Sequence, residues 1–301
     1  MNRPKKDTAG GRAYLDLQNR ARREHRGTQE LLTLYVLERL LARLAASPYA
    51  DMFVLKGGML LAVLDARRPT ADADLLARSL PNNDAAVLTR VREIAQTVVD
   101  EEDGVEFLVD TTSAESIREG DLYGGTRVSM TARVSTATVK LKLDINFGDP
   151  VTPGPQRIEF PSQRPGRAAT VLFGYPIETV LAEKISTAVS LGEANTRVRD
   201  YVDLYTLTGR HELSYEAVQA ALDATANHRD VRLVPLSEVV GEFSTVRQSA
   251  YNAFRRRLGP DGDHLPTELQ EIVLAVEAFI DPLVTGDVGE GGWVPSARRW
   301  E

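Results

Sequence analysis

The chain contains no cysteine. That excludes disulfides, thiolate zinc sites, iron–sulfur clusters and cysteine nucleophiles together. Its four histidines, His25, His211, His228 and His264, are scattered and match no metal-ligand spacing such as H-E-x-x-H. Any metal is therefore expected to be hard and oxygen-bound: magnesium, manganese or calcium. No apolar run approaches the roughly 20 residues needed to span a bilayer. The N-terminal MNRPKKDTAGG carries charge with no apolar stretch behind it, so no signal peptide is visible. The expectation is a soluble, cytoplasmic protein without a membrane partner. An excess of basic charge is also lacking: a net charge of −7 over 301 residues argues against a surface that grips nucleic acid everywhere.

The basic charge that is present is clustered. Residues 1–26 carry Arg3, Lys5, Lys6, Arg12, Arg20, Arg22, Arg23 and Arg26 against Asp7, Asp16 and Glu24. A second cluster, Arg247 with Arg255, Arg256 and Arg257, lies near Tyr251 and Phe254. Two readings stand side by side: local patches that hold phosphate backbones, or solvated helix faces and a mobile arm.

Hydrophobic periodicity organises the rest. Leu34, Leu37, Leu41 and Leu44 predict an amphipathic helix over 29–46. DMFVLKGG then reads as a buried strand with a tight exit, MLLAVLDA as about two helical turns, and TADADLL as a second short strand. After PNND, Val87, Val91, Ile94 and Val98 share a helix face over 84–99. TRVSMTARV and VKLKLDINF alternate with period two and a short link, which predicts an antiparallel hairpin with Lys140, Lys142, Asp144 and Asn146 on its polar face. Residues 150–175, rich in proline and glycine, mark the expected boundary. Helices are expected beyond it, from YPIETVLAEKISTAVSLG and TRVRDYVDLYTLTG and near 214–226, 235–258 and 266–284, before a loose tail.

Within this frame TADAD poses a chemical question. Asp72 and Asp74 at i and i+2 point the same way if the segment is extended. They either cap something locally or hold a metal. A neighbouring strand bringing Asp144 to that face would make three acids, whose mutual repulsion raises their pKa values. Bound Mg²⁺ relieves it, and two ions roughly 3.5–4 Å apart serve phosphoryl or nucleotidyl transfer. Lys56, Gly57 and Gly58, at a strand's end and opening a helix, present backbone N–H groups suited to phosphate, or simply a tight turn. The spacing is not that of a P-loop. Lys184, mid-helix in AEK, is a point charge able to reach triphosphate oxygens. Asp200 and Asp203 share a helix face with Arg197 and Arg199 nearby, which also suits an intrahelical ion pair such as Arg199 to Asp203.

The stretches YVLERLLARLAASPYADMFVLKGGMLLAVLDARRPTADADLLA, VKLKLDINFGDPVTP and YPIETVLAEKISTAVSLGEANTRVRDYVDLYTLT closely resemble the AbiEii/AbiGii-type nucleotidyltransferase toxins, in order, from about residue 10 to residue 260. That family belongs to the DNA polymerase β-like nucleotidyltransferase superfamily. The resemblance implies an α+β fold: a catalytic lobe over 1–165 with a small mixed or antiparallel sheet and a basic helical arm, a mainly helical lobe over 166–286, and a flexible tail over 287–301. It aligns Gly57 and Gly58 with the Gly-Ser loop of the superfamily, the serine being absent here. It aligns Asp72 and Asp74 with the metal-binding pair, Thr70 with the hydroxyl before it, Asp144 with the third carboxylate, Lys184 with the nucleotide lysine and Asp203 with the late catalytic aspartate. Ala71 and Ala73 stand where the family often has larger residues. The implied activity is Mg²⁺- or Mn²⁺-dependent transfer of NMP from an NTP to the 3′ end of tRNA by a toxin with a cognate antitoxin. Two other outcomes stay open on the same fold: transfer to a protein or small-molecule hydroxyl, and a binding protein without catalysis. Phosphorylation of Thr70 would block metal and NTP by charge and bulk; the alternative is a threonine that shapes the turn.

Overall fold

The computed structural model describes residues 4–100, 102–119, 123–288 and 291–301; Arg3 of the basic arm and Gly289 and Glu290 of the tail lie outside them. The chain divides into two compact units. The first comprises Met1–Val63, Pro69–Gly148 and Gln156–Gly174, the second Leu64–Arg68, Asp149–Pro155 and Tyr175–Glu301. The division therefore does not follow a single break at 165: residues expected in a linker return to the first unit as two strands, and two short segments join the second.

In the first unit, helices α1 (Ala9–Arg23), α2 (Thr28–Ala46), α3 (Gly57–Leu60) and α4 (Asp84–Gln96) accompany strands β1 (Phe53–Lys56), β2 (Ala73–Ala77), β3 (Val105–Glu119), β4 (Tyr123–Val134), β5 (Ala137–Phe147), β6 (Gln156–Phe160) and β7 (Thr170–Gly174). These strands form one mixed sheet in the order β3-β4-β5-β2-β1-β7-β6. Pairing is antiparallel for β1/β2, β3/β4, β4/β5 and β6/β7, and parallel for β2/β5 and β1/β7.

The expected antiparallel hairpin forms as β4–β5, with Val128 opposite Leu143 and Met130 opposite Leu141, and is closed by Ser135 and Thr136. Ser135 takes φ +55, which supplies the left-handed backbone that a glycine or asparagine would ordinarily provide in so tight a link. Val128, Met130, Ala132, Val139, Leu141, Leu143 and Ile145 are buried, so one face of the hairpin is core. α2 lays Leu34, Leu37, Leu41 and Leu44 into that core, each at most 6% exposed.

Several local expectations are corrected. MLLAVLDA is not a two-turn helix: α3 spans four residues and gives way to turns. α4 starts as predicted, with Asn83 capping the Ala86 N–H at 2.8 Å, but ends at Gln96, leaving Val98 88% exposed. β3 was not foreseen, because VEFLVDTTSAESIRE alternates poorly. It is an edge strand whose register shifts between Leu108 and Ser113, and bulged edges tolerate polar residues on both faces.

The second unit is helical: α5 (Ile177–Leu191), α6 (Val198–Thr208), α7 (Tyr215–His228), α8 (Leu236–Val239), α9 (Phe243–Leu258) and α10 (Leu269–Thr285), with a small antiparallel sheet of β8 (Leu213–Ser214), β9 (Gly292–Val294) and β10 (Arg299–Trp300). The helix expected over 235–258 is split at Gly241, whose φ is +46. The expected flexible tail is also corrected. Its described residues form β9 and β10, with Trp293 1% exposed, edge-on to Phe279 and donating its indole N–H to the Thr208 carbonyl at 2.6 Å. Among the described residues no helix is long and apolar enough to cross a membrane.

Candidate active site

In the first unit the carboxylates meet through sheet register. Lys56, the last residue of β1, stands opposite Asp74 on β2, and Asp74 stands opposite Asp144 on β5. Asp72 precedes β2 by one residue. Its carboxylate accepts a hydrogen bond from the Thr70 hydroxyl at 2.9 Å, and its carbonyl lies 3.2 Å from the same hydroxyl and shares that donor. The strand-face expectation thus holds for Asp74 and Asp144, while Asp72 is held by a turn contact from Thr70.

Gly57 has φ +65, and a Cβ built on it would lie 1.9 Å from Asp74 Oδ2. Only glycine allows so close an approach at that backbone angle. The Gly58 N–H donates to the same oxygen at 3.4 Å, so the paired glycines support the aspartate directly. The expectation of a glycine loop opening a helix is corrected to that extent, since α3 is a single turn.

Burial and then the charge of Asp72 raise the Asp74 pKa to about 6; buried Lys56 opposes this, and Asp144 adds to it. Two oxygen donors whose charges conflict without a cation form a donor set suited to a hard divalent ion. Asp144 is differently engaged. Arg127, its cross-strand partner on β4, donates Nε–H and NH2 hydrogen bonds to its two oxygens, both at 2.7 Å. The expected third metal carboxylate is therefore clasped by an arginine, and among the described residues no group of three or more His, Asp or Glu side chains is arranged to hold a metal. Arg127 was missed at the sequence level, although alternation in TRVSMTARV places it on the polar face.

The second unit carries its own cluster. Lys184, on α5, is partly buried and donates to Asp200 at 2.9 Å and Asp203 at 2.6 Å, both on α6. Asp203 also accepts from Arg68 Nε at 3.2 and 3.3 Å, and Asp200 from Arg197 at 2.6 Å. The suggested Arg199–Asp203 pair is not the one formed, for Arg199 is exposed and Arg68 takes that place. Burial alone would lower the Lys184 pKa, but the charges of Asp203 and Asp200 outweigh it and raise it. Burial would raise Asp200; Lys184 and Arg197 outweigh it and hold its pKa at about 2. Asp203 borders a pocket of ≈ 340 Å³ whose wall includes Arg67, Arg68, Thr206, Arg210 and His264. Asp65, Asp261 and Asp263 line it too, and Arg67 and Arg68 are paired there with Asp261 and Asp203.

The predicted basic patches are partly spent on internal contacts. Arg20 binds Glu24 and the Gln163 carbonyl, Arg26 binds Glu24 and Glu30, and Arg247 donates to the Asn195 carbonyl. Arg22, Arg23, Arg256 and Arg257 remain exposed.

Residues 39–279 match the family described as nucleotidyl transferase AbiEii toxin of type IV toxin–antitoxin systems. No curated protein matches the sequence. Among solved structures, MenT4, a nucleotidyltransferase toxin from Mycobacterium tuberculosis H37Rv, superposes with a TM-score of 0.50 at 16% identity, covering 90% of this chain and 99% of that one. JHP933 from Helicobacter pylori is similar over 87% of this chain and 95% of its own, at 16% identity and a TM-score of 0.48. Identity this low makes the MenT4 match a likeness of fold.

Proposed function

We propose, from the premise that the chain belongs to the AbiEii family and is a nucleotidyltransferase toxin of a toxin–antitoxin system, that it transfers NMP from an NTP to the 3′-terminal ribose of tRNA. The observation that carries the catalytic part of this reading is the Asp72–Asp74 pair, with Asp74 raised to about 6 by burial and by Asp72. Asp72 and Asp74 would hold Mg²⁺ or Mn²⁺, which when bound neutralises triphosphate charge and favours the ionised form of an attacking hydroxyl. Gly57 and Gly58 keep Asp74 in place, and the Thr70 hydroxyl orients Asp72. Lys56 supplies positive charge beside Asp74 and toward incoming phosphate. In the second unit, Lys184 binds triphosphate oxygens and Asp203 positions the acceptor hydroxyl or takes its proton. Arg68 and Lys184 hold the Asp203 carboxylate in place. Asp144 orients Arg127 and contributes negative charge beside Asp74.

Blocking the tRNA 3′ end would prevent aminoacylation and stop translation, and a cognate antitoxin would restrain the toxin. Adding phosphate to Thr70 would break its hydrogen bond to Asp72, one route to such restraint.

Purified protein incubated with total tRNA, Mg²⁺ and each α-³²P-labelled NTP, beside Asp72→Ala, tests the reading. Label on tRNA from the wild type alone supports it and identifies the nucleotide. Label on protein or a small molecule instead would replace tRNA with that acceptor, and no label on any acceptor would reject catalysis.

A further inference from the structure

The open face of the β4–β5 hairpin extends away from the carboxylates as a polar ladder. Its rungs are Arg127 opposite Asp144, Ser129 opposite Lys142, Thr131 opposite Lys140 and Arg133 opposite Thr138. The other face is occupied by the buried side chains of the core, which leaves this one toward solvent. At the two ends the cations are compensated: Arg127 by Asp144 at 2.7 Å, and Arg133 by Glu106 at 3.6 Å. The two middle rungs are different. Lys140 and Lys142 are exposed and, among the described residues, in no ion pair, although the protein carries a net charge of −7.

Same-face residues on a strand are separated by roughly 7 Å, comparable to the step from one phosphate to the next along an extended nucleic-acid strand. Two uncompensated ammonium groups at that spacing, each opposite a hydroxyl able to donate, match consecutive phosphates. The ladder begins at Asp144, beside Asp74, so a strand lying on it approaches the carboxylates at one end.

We propose that Lys140 and Lys142, with Ser129 and Thr131, form a track for the sugar–phosphate backbone of the single-stranded end of an RNA acceptor. This rests on the RNA-acceptor reading above and adds a surface to it. The contacts are to backbone, so the track adds affinity and register without base preference.

Binding of a 5′-fluorescein RNA ending in CCA, measured by anisotropy across a salt series with the full chain, tests the track. The variants are Lys140→Ala/Lys142→Ala and, as a control of equal charge change on exposed residues outside the basic clusters, Arg78→Ala/Arg232→Ala. The hairpin variant is expected to bind about tenfold more weakly and to lose roughly 1.4 from the slope of log K against log salt, two phosphate contacts at about 0.7 each. Mg-NTP affinity should be unchanged, and so should the melting temperature. Equal losses in both double variants would make the effect one of net charge and overturn the track. Wild-type binding by the hairpin variant would overturn it while leaving the RNA reading intact. No RNA binding by the wild type would overturn both.

Discussion

Gly57 and Asp74 occupy space that no second side chain can share. With φ at +65 and a Cβ placed 1.9 Å from Asp74 Oδ2, Gly57→Ala must either strain the backbone or push the aspartate aside. A displacement of about 1 Å in a reacting group costs on the order of 100-fold in rate. Gly57→Ala is therefore expected to lower kcat/KM for nucleotidyl transfer about 100-fold, as measured by label transfer. A variant with full activity would show that Asp74 is not held by this contact. Lys184 is a different case, because it bridges two buried carboxylates. Lys184→Met leaves Asp200 and Asp203 with only Arg197 and Arg68, and removing one partner from a buried ion cluster costs about 3 kcal/mol. Urea unfolding should register that loss apart from any effect on turnover. The acid limb of stability carries the opposite test. The folded pKa of Asp200 is held at about 2, below the roughly 3.9 of an unfolded aspartate. Its contribution is therefore complete above pH 4 and is lost as pH falls toward 2. Melting temperature should drop across that window, and Asp200→Asn should flatten the drop while lowering stability at neutral pH.

At the level of elements, the tail is where structure and pattern part most clearly. GDVGEGGWVPSARRWE has the composition of a loose end, yet Trp293 and Trp300 pack against Phe279, and β9 pairs with β8. Trp293→Ala should destabilise the protein by about 3–5 kcal/mol, whereas Arg299→Ala, whose side chain is 68% exposed, should change stability by less than about 0.5 kcal/mol. Thermal melts of the two variants decide it: equal melting temperatures would return the tail to the loose state that its composition suggests. The strands β6 and β7 make the same point. Proline and glycine between 150 and 175 correctly mark turns, but short strands between turns have too few residues to display a period. Their place in the sheet, β7 beside β1, comes from pairing with a strand more than a hundred residues earlier.

At the scale of the whole molecule, an acidic protein with localised basic surfaces should bind RNA by counterion release at those surfaces. Transfer to tRNA at subsaturating concentrations is expected to fall by about tenfold or more between 50 and 200 mM salt. A flat response would remove tRNA as the acceptor and favour a small molecule or protein hydroxyl. Surfaces already neutralised internally, such as Arg20 and Arg26, are expected to contribute little to that slope.

The amino-acid order alone determined the elements with a strong period: α2, the β4–β5 hairpin and most helices of the second unit. It also put Asp144 on the polar face of its strand and Asp74 in a short extended segment. Those features are local, because alternation and helical repeat are written into successive residues. Tertiary structure decided the rest. Arg127 became the partner of Asp144, Arg68 rather than Arg199 became the partner of Asp203, and the Gly57–Asp74 approach became close enough to exclude a Cβ. Each of these depends on residues far apart in the chain or on a backbone angle, and on competition between ion-pair partners that only a packed structure resolves.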